Sequence, residues 1–454
     1  MFDALFTTTT EYKKLSHALS GKGACALFGL PASGRAQVYA ALCRQLDKPL
    51  CIVTPGEAEA TRFAADLNTL GIPAAVFPAR DYVLRPIEGT AREYEYRRLA
   101  VLGELVGGRL RAVAVPAEAL TQFTTPKEDF CANTRTLHAG DTLLRDDLLA
   151  ALFGAGYTRR AQVDGPGQFS VRGDIVDIFA PDQKMPVRME FWGDEIDTLH
   201  TFDLTTQRRE DAIDKFYLSP AREVLFGKPA DAAEQLRAFL AKQRGKKKTA
   251  MTDCMAADLD LLDGGAVPVN MDKYLAVRYP HPATVLDYFD DPILVAEEPA
   301  SIREADRATA YRRGEELKSL ILDGVLCAGL DNLYADPSYL WSKTGHYRTI
   351  CAENFARSMP DQPLKDIINA PAHTLPAWNG EVAGLLEDLK PLCDAGYTVT
   401  LLAGTDRAAA GLARDLRDKG ILVTTDAAAA PAAGLVQVLA GHLSAGCEFP
   451  FAKY

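Results

Sequence analysis

The chain has 454 residues, 48% of them hydrophobic, which is too long for one core and too apolar for a disordered chain, so three or four domains are expected. A net charge of −11 gives no global field for attracting nucleic acid. Nine cysteines are scattered without a C-x-x-C pair or zinc-ligand spacing, as expected of reduced thiols in a cytoplasm. There is no run of apolar residues long enough for a membrane span and no signal-peptide pattern, so a soluble, cytoplasmic chain without membrane contact is expected. The chain stops at Phe449–Tyr454 without a closing helix, as the front part of a longer polypeptide would.

The first domain is expected over residues 1–125. Ala24–Phe28 is an apolar run, followed by Gly29-Leu30-Pro31-Ala32-Ser33-Gly34-Arg35-Ala36 and a helical pattern through Val38, Ala41, Leu42 and Leu46. Strand, Gly-framed loop and helix is the order of a phosphate-binding loop, whose sequence is G-x-x-x-x-G-K-[ST]. Gly29 and Gly34 have the right spacing, but Arg35 replaces the lysine and Ala36 the hydroxyl that ligates magnesium. A nucleotide site that no longer hydrolyses fits this pattern, and so does an ordinary glycine-containing turn. Leu50–Thr54, Ala74–Phe77 and Ala112–Pro116 read as strands, and Glu57–Leu70 and Arg92–Leu105 as helices. Alternation of strands and helices predicts a parallel α/β sheet of RecA type.

Gln168–Phe179, Q-F-S-V-R-G-D-I-V-D-I-F, alternates as a strand pair with Gly173 at a bend between Arg172 and Asp174. Leu143–Gly154 is an amphipathic helix with Leu144, Leu148, Leu149 and Leu152 on one face, and Arg159–Val163, Gly167–Val171, Ile175–Phe179 and Val187–Phe191 are short strands. They predict a small α+β domain inserted over 126–212. Asp182, Asp194, Glu195 and Asp197 cluster after the strands, which disfavours nucleic acid as its ligand.

The degenerate phosphate loop, P-L-C-I-V-T-P, F-P-A-R-D-Y-V-L-R-P, R-E-Y-E-Y-R-R-L, the Gln168–Phe179 segment and Phe191-Trp192-Gly193-Asp194-Glu195-Ile196-Asp197 follow in a specific order. Together they resemble the N-terminal, UvrB-like module of the bacterial transcription-repair coupling factors, from about residue 20 to the end. UvrB is the nearest rival. It keeps an intact phosphate loop and carries a tyrosine-rich hairpin after the strand equivalent to Ala74–Phe77. Here only Pro78–Thr90 stands there, with Tyr82 its one aromatic residue. The resemblance therefore implies a module lacking both the ATPase and the damage clamp of UvrB; the alternative is a UvrB-like, nucleotide-binding ATPase that binds damaged DNA. It also implies that the inserted domain recruits UvrA through Arg159, Arg172, Gly173, Asp174 and Phe179. Arginine and aromatic residues anchor interfaces well. Ion pairs of Arg159 and Arg172 with Asp174, Asp177 or Glu190 are the competing reading, and for Phe179 it is a place in the core.

Residues 213–345 are expected to return to the first domain from Leu218 onward. Asp231–Gln243 is helical and runs into Lys242, Arg244, Lys246, Lys247 and Lys248, read as a solvated loop tip or linker, or as a phosphate contact. Ile293–Glu298 is an apolar strand ending in two acids, where a motor places its metal-binding pair; Glu297 and Glu298 are read as a degenerate motif II. Ser301–Leu320 is a charged helix expected to pack on the first domain. Over 346–454, helices at Trp378–Cys393 and Arg407–Lys419 and strands at Thr398–Ala403, Ile421–Thr424 and Gly434–Ala440 predict a second small α/β domain. No catalytic constellation is seen. The resemblance implies no cofactor in this module; ATP and magnesium belong to a C-terminal motor, and RNA polymerase and duplex DNA are partners of C-terminal domains that follow it.

Overall fold

β1 (Gly23–Phe28), β2 (Leu50–Thr54), β3 (Ala74–Val76) and β4 (Ala112–Pro116) alternate with helices Ala32–Leu46, Glu57–Thr69 and Glu93–Val106. β1, β2 and β4 are buried along almost their whole length, a pattern that needs cover on both faces of a sheet. In this computed structural model, which describes residues 7–87, 92–357, 359, 362–375 and 382–454, that cover is present.

The inserted strands are β5 (Arg135–His138), β6 (Thr158–Arg159), β7 (Gln168–Arg172), β8 (Ile175–Phe179), β9 (Val187–Trp192), β10 (Glu195–Phe202), β11 (Arg209–Ala212) and β12 (Lys215–Leu218). The chain then returns through β13 (Ile293–Glu297), β14 (Arg348–Glu353) and β15 (Leu364–Asn369). The main sheet has seven parallel strands in the order β15-β1-β14-β13-β2-β4-β3, the expected RecA-like parallel sheet. Alternation sends Cys25, Leu27, Ile52 and Val295 to one core and Ala26, Phe28, Val53 and Ala296 to the other. Helices Ala32–Leu46 and Glu57–Thr69 cover the first face; Glu93–Val106 and the start of Pro299–Leu322 cover the second.

Three expected domain boundaries move. β14 and β15 lie beyond 346, yet they flank β1 in the main sheet, so this stretch completes the first unit. β12 lies beyond 212 but pairs antiparallel with β5, and Phe216, Leu218 and Ala221 share the inserted core. Leu218 thus closes the insertion. Much of 224–333 is neither: helices Pro229–Ala241 and Gly245–Asp263 build a helical unit with its own core, including Leu236, Met251, Met255, Tyr274 and Leu330. The basic run is no loop tip, because Lys246, Lys247 and Lys248 form the exposed first turn of Gly245–Asp263. Hydrophobic periodicity marks each segment but does not say which core it joins.

In the inserted unit a six-stranded sheet, β11-β10-β9-β8-β7-β6, is antiparallel except for β6 with β7. Helix Arg145–Gly154 lays Leu148 and Leu152 on one face, whereas Leu144 precedes the helix and is exposed. Glu195 and Asp197 do not follow the strands; they lie in β10.

The last unit has three parallel strands, β17 (Val399–Ala403), β18 (Val423–Thr424) and β19 (Val436–Ala440), under helices Val382–Asp394 and Asp406–Asp418. The expected helix start at Trp378 lies outside the described residues. A short antiparallel pair, β16 (His373–Leu375) with β20 (Gly446–Glu448), ties the chain's end to the main unit. Tyr82 is buried and donates to the Phe123 carbonyl at 2.7 Å, so it offers no stacking surface; residues 88–90 of its loop lie outside the described residues. No helix among the described residues is long and apolar enough to cross a membrane.

Candidate docking surface and a filled phosphate loop

Two places stand out in the sequence, the Gly29–Ala36 loop and the Gln168–Phe179 strand pair. In the first, only Gly29, Leu30 and Pro31 separate β1 from the helix, which begins at Ala32. Ser33, Gly34, Arg35 and Ala36 are therefore helical and buried, and the Arg35 N–H donates to the Pro31 carbonyl at 2.9 Å. A phosphate cradle needs backbone N–H groups turned into a concavity; here this one is spent within the helix.

The Arg35 guanidinium points inward. Its Nε lies 3.0 Å from Glu297 Oε2, and its Nη1 donates to Glu298 Oε1 at 2.8 Å. Tyr39 donates to Glu297 Oε1 at 2.5 Å. Burial pushes the Glu297 carboxyl up to about 6, against the opposing pull of Arg35 and the Tyr39 hydroxyl. Glu298 sits at φ 51° and its carboxylate also accepts the Asn354 N–H at 3.2 Å. The residues at the lysine and metal positions of a motor thus neutralise each other.

The chain's last residues cover this place. A Cβ on Gly34 would stand 2.8 Å from Cys447 Sγ and 3.3 Å from the Phe449 ring, so only glycine lets β20 approach. Phe449 is fully buried and stacks with Tyr454 at 5.9 Å between centroids. Ser444 anchors the same segment through its N–H and hydroxyl to Asp66, at 2.8 and 2.6 Å. Gly29, at φ +89°, leaves a Cβ position only 3.0 Å from Asn369 Oδ1.

On the inserted sheet, register sorts the residues by face. Phe169 aligns with Ile178, and Ile178 with Val187, on the helix-covered face. Ser170, Asp177, Arg188 and His200 align on the other, as do Arg172, Ile175, Glu190 and Thr198. Asp177 is fully buried and accepts from Arg188 Nε at 2.7 Å, Arg188 Nη2 at 2.9 Å and Arg172 Nη2 at 2.6 Å. One carboxylate shared by two guanidiniums leaves this centre one positive charge in excess. Arg172 keeps 46% of its side chain exposed, so the ion pair orients it without hiding it.

Gly173, at φ +61° with no atom within 4 Å of its Cβ position, is required by the hairpin bend and not by crowding. Arg145 Nη1 donates to the Gly173 carbonyl at 2.9 Å and lies 3.5 Å from Asp174, whose carboxylate is otherwise exposed. Phe179 does not belong to the surface. Only 6% exposed, it packs with Val163 and Phe202 under the loop that leaves β10.

Arg159 is exposed and, among the described residues, has no hydrogen-bond or ion-pair partner. It aligns with Phe169, three residues from Arg172, so the two arginines lie on opposite faces. Arg159 instead lines a cleft of about 900 Å³ between the inserted and helical units, with Arg160, Arg222, Val267 and Val269.

Trp192 was not singled out as a site residue. It is 82% exposed at the end of β9, on the face of Arg172. The signal is in the sequence: Val187, Met189 and Phe191 alternate inward, so Trp192 must point out. The buttressing by Arg188 and Arg145 had no such signal.

Residues 136–224 match the family model described as the UvrB interaction domain. That span contains every residue of this surface and ends beyond β12, in step with the inserted core. Along 94% of its length the chain is 25% identical to the transcription-repair-coupling factor of Bacillus subtilis, covering 37% of that protein. It is 24% identical to that of Staphylococcus haemolyticus over 93% of the chain and 23% identical to that of Staphylococcus aureus over 93%, again covering 37% of each relative. The chain thus spans well under half the length of these relatives.

Proposed function

We propose that the chain is the UvrA-recruiting module of a transcription-repair coupling factor and that it hydrolyses no nucleotide itself. The observation that carries this reading is the Arg172 centre: an exposed guanidinium, aimed by a buried carboxylate, on the same sheet face as an exposed tryptophan. Arginine and tryptophan dominate interface energetics, and an arginine fork suits a partner carboxylate. Arg172, Gly173 and Asp174 form the contact on one face, and Arg159 contributes from the cleft. Phe179 supports them from the core.

The non-hydrolysing part of the proposal rests on the Arg35–Glu297 pair and on the packing of Cys447 and Phe449 against Gly34. Nucleotide entry requires Arg35 to leave its acids and the C-terminal segment to lift. In this reading the module needs no cofactor. ATP and magnesium are used by a C-terminal DNA translocase that acts on stalled RNA polymerase, and polymerase and duplex DNA are held by those domains, in the cytoplasm.

The test is a pair of measurements on the intact chain: binding of purified UvrA, and calorimetric titration with ATP and magnesium. UvrA retention without nucleotide heat or turnover is expected. ATP turnover overturns the non-hydrolysing reading, and absence of UvrA binding overturns the recruiting one.

A further inference from the structure

Cys254 and Cys327 lie outside both places described above. Cys254 is on the partly exposed side of helix Gly245–Asp263, and its thiol donates to the Val325 carbonyl at 3.1 Å. Cys327, two residues beyond Val325, is buried behind it, and of the groups around Cys254 its thiol acts most strongly on that sulfur. Lys273 Nζ is held beside them, 2.5 Å from Asp258 Oδ2 and 3.2 Å from the Cys254 carbonyl. The remaining cysteines offer no such arrangement. Cys25 and Cys351 are on adjacent strands, but Cys351 aligns with Ala26, so their side chains face opposite cores. Cys131 is exposed.

We infer that Cys254 and Cys327 are a reversible redox pair, closed to a disulfide by a peroxide and bracing helix Gly245–Asp263 against the segment after helix Pro299–Leu322. The Cys254 sulfur attacks one peroxide oxygen, the O–O bond breaks, and Cys254 becomes a sulfenic acid as the peroxide is reduced. The Cys327 sulfur then attacks the Cys254 sulfur. The S–S bond forms, the S–O bond breaks, and the leaving hydroxide takes the Cys327 proton as water. Two thiols and one hydrogen peroxide give one disulfide and two waters.

The order of roles follows from placement and charge. Cys254 is the more accessible thiol. A hydrogen bond from Cys327, aided by Lys273, holds it down to about 7, while burial and that same bond push Cys327 up. The thiolate is the nucleophile, so Cys254 attacks and Cys327 resolves.

The test treats the intact chain with stoichiometric hydrogen peroxide, blocks remaining thiols and maps peptides by mass spectrometry. A linked Cys254–Cys327 peptide is expected, reversed by dithiothreitol, formed before Cys131 is modified, and accompanied by a higher unfolding midpoint. Cys327→Ser is expected to leave a sulfenic acid on Cys254 that dimedone traps, and Cys254→Ser to abolish the link. Recovery of Cys254 as an alkylated thiol after oxidation overturns the inference. So does a link formed only between molecules through Cys131, which needs no folded variant to detect.

Discussion

Arg35 Nε stands 3.0 Å from Glu297 Oε2, so the residue at the lysine position of a phosphate loop is neutralised by the acid at the end of β13. Both side chains are almost fully buried. Removing one partner of such a pair leaves an uncompensated buried charge, which typically costs about 3–5 kcal/mol. Arg35→Ala should lower the urea midpoint accordingly, with the slope unchanged. Arg35→Lys should restore only part of the loss, because an ammonium does not reproduce the two-sided contact with Glu297 and Glu298.

The same pair sets a pH dependence. The Glu297 carboxyl is raised from 4.5 to about 6 in the folded chain. Between these values the folded state holds a proton that the unfolded state has lost. Its contribution is therefore present below the window and lost as pH rises through it, on the order of 2 kcal/mol. Stability profiles of the wild type and Glu297→Gln, measured by thermal unfolding across this range, should differ by that slope. Parallel profiles would show that Glu297 is ionised throughout.

Gly34→Ala probes the cover over the loop. The added Cβ would meet Cys447 Sγ at 2.8 Å. Overpacking of this kind costs about 1–3 kcal/mol. Limited proteolysis should cut the Gly446–Tyr454 segment faster in the variant, while the inserted unit keeps its resistance. Equal cleavage would mean that the segment is not held by this contact.

Arg172→Glu should abolish UvrA retention in a pull-down, with circular dichroism unchanged, because Arg188 still satisfies Asp177. Trp192→Ala should weaken UvrA by tenfold or more, on the order of 2 kcal/mol for a hot-spot residue. Its stability should shift by no more than about 0.5 kcal/mol, since the side chain is exposed. Retained affinity in both variants would remove the outer face of the inserted sheet from the interface.

Phe179→Ala should behave in the opposite way. Truncating a buried phenylalanine costs about 3–5 kcal/mol. Chemical denaturation should detect that loss, and binding measured well below the unfolding transition should stay near wild type. A selective binding defect without destabilisation would return Phe179 to the surface.

The positions of β1 to β4 and β13 followed from short apolar runs and glycine-marked turns, because a parallel strand covered on both faces writes its burial into consecutive residues; β14 and β15, which complete the same sheet, were not read from the sequence. The Gly173 bend was equally plain, since a glycine between two charged residues in alternating strands has few other uses. Phe179 was ambiguous for a physical reason. Period-two alternation places it on the outer face with Arg172, and only the loop carrying Val163 and the end of β10 turn that corner of the face into core. The helical unit was missed because amphipathic helices show that a face is buried and not against what.

By itself, the sequence of this protein determined the parallel character of the main sheet, the inserted α+β unit, the altered Arg35 and Ala36 positions, and the order of motifs that resembles the coupling factors. Those are local: each depends on residue type and on spacing within a strand, a turn or one helix. Tertiary structure alone decided that Arg35 reaches Glu297 and Glu298, that the C-terminal segment seats on Gly34, that Asp177 aims Arg172, and that Arg159 faces away from it. Each of these depends on contacts or faces that spacing along the chain does not encode, and close packing leaves room for only one such arrangement.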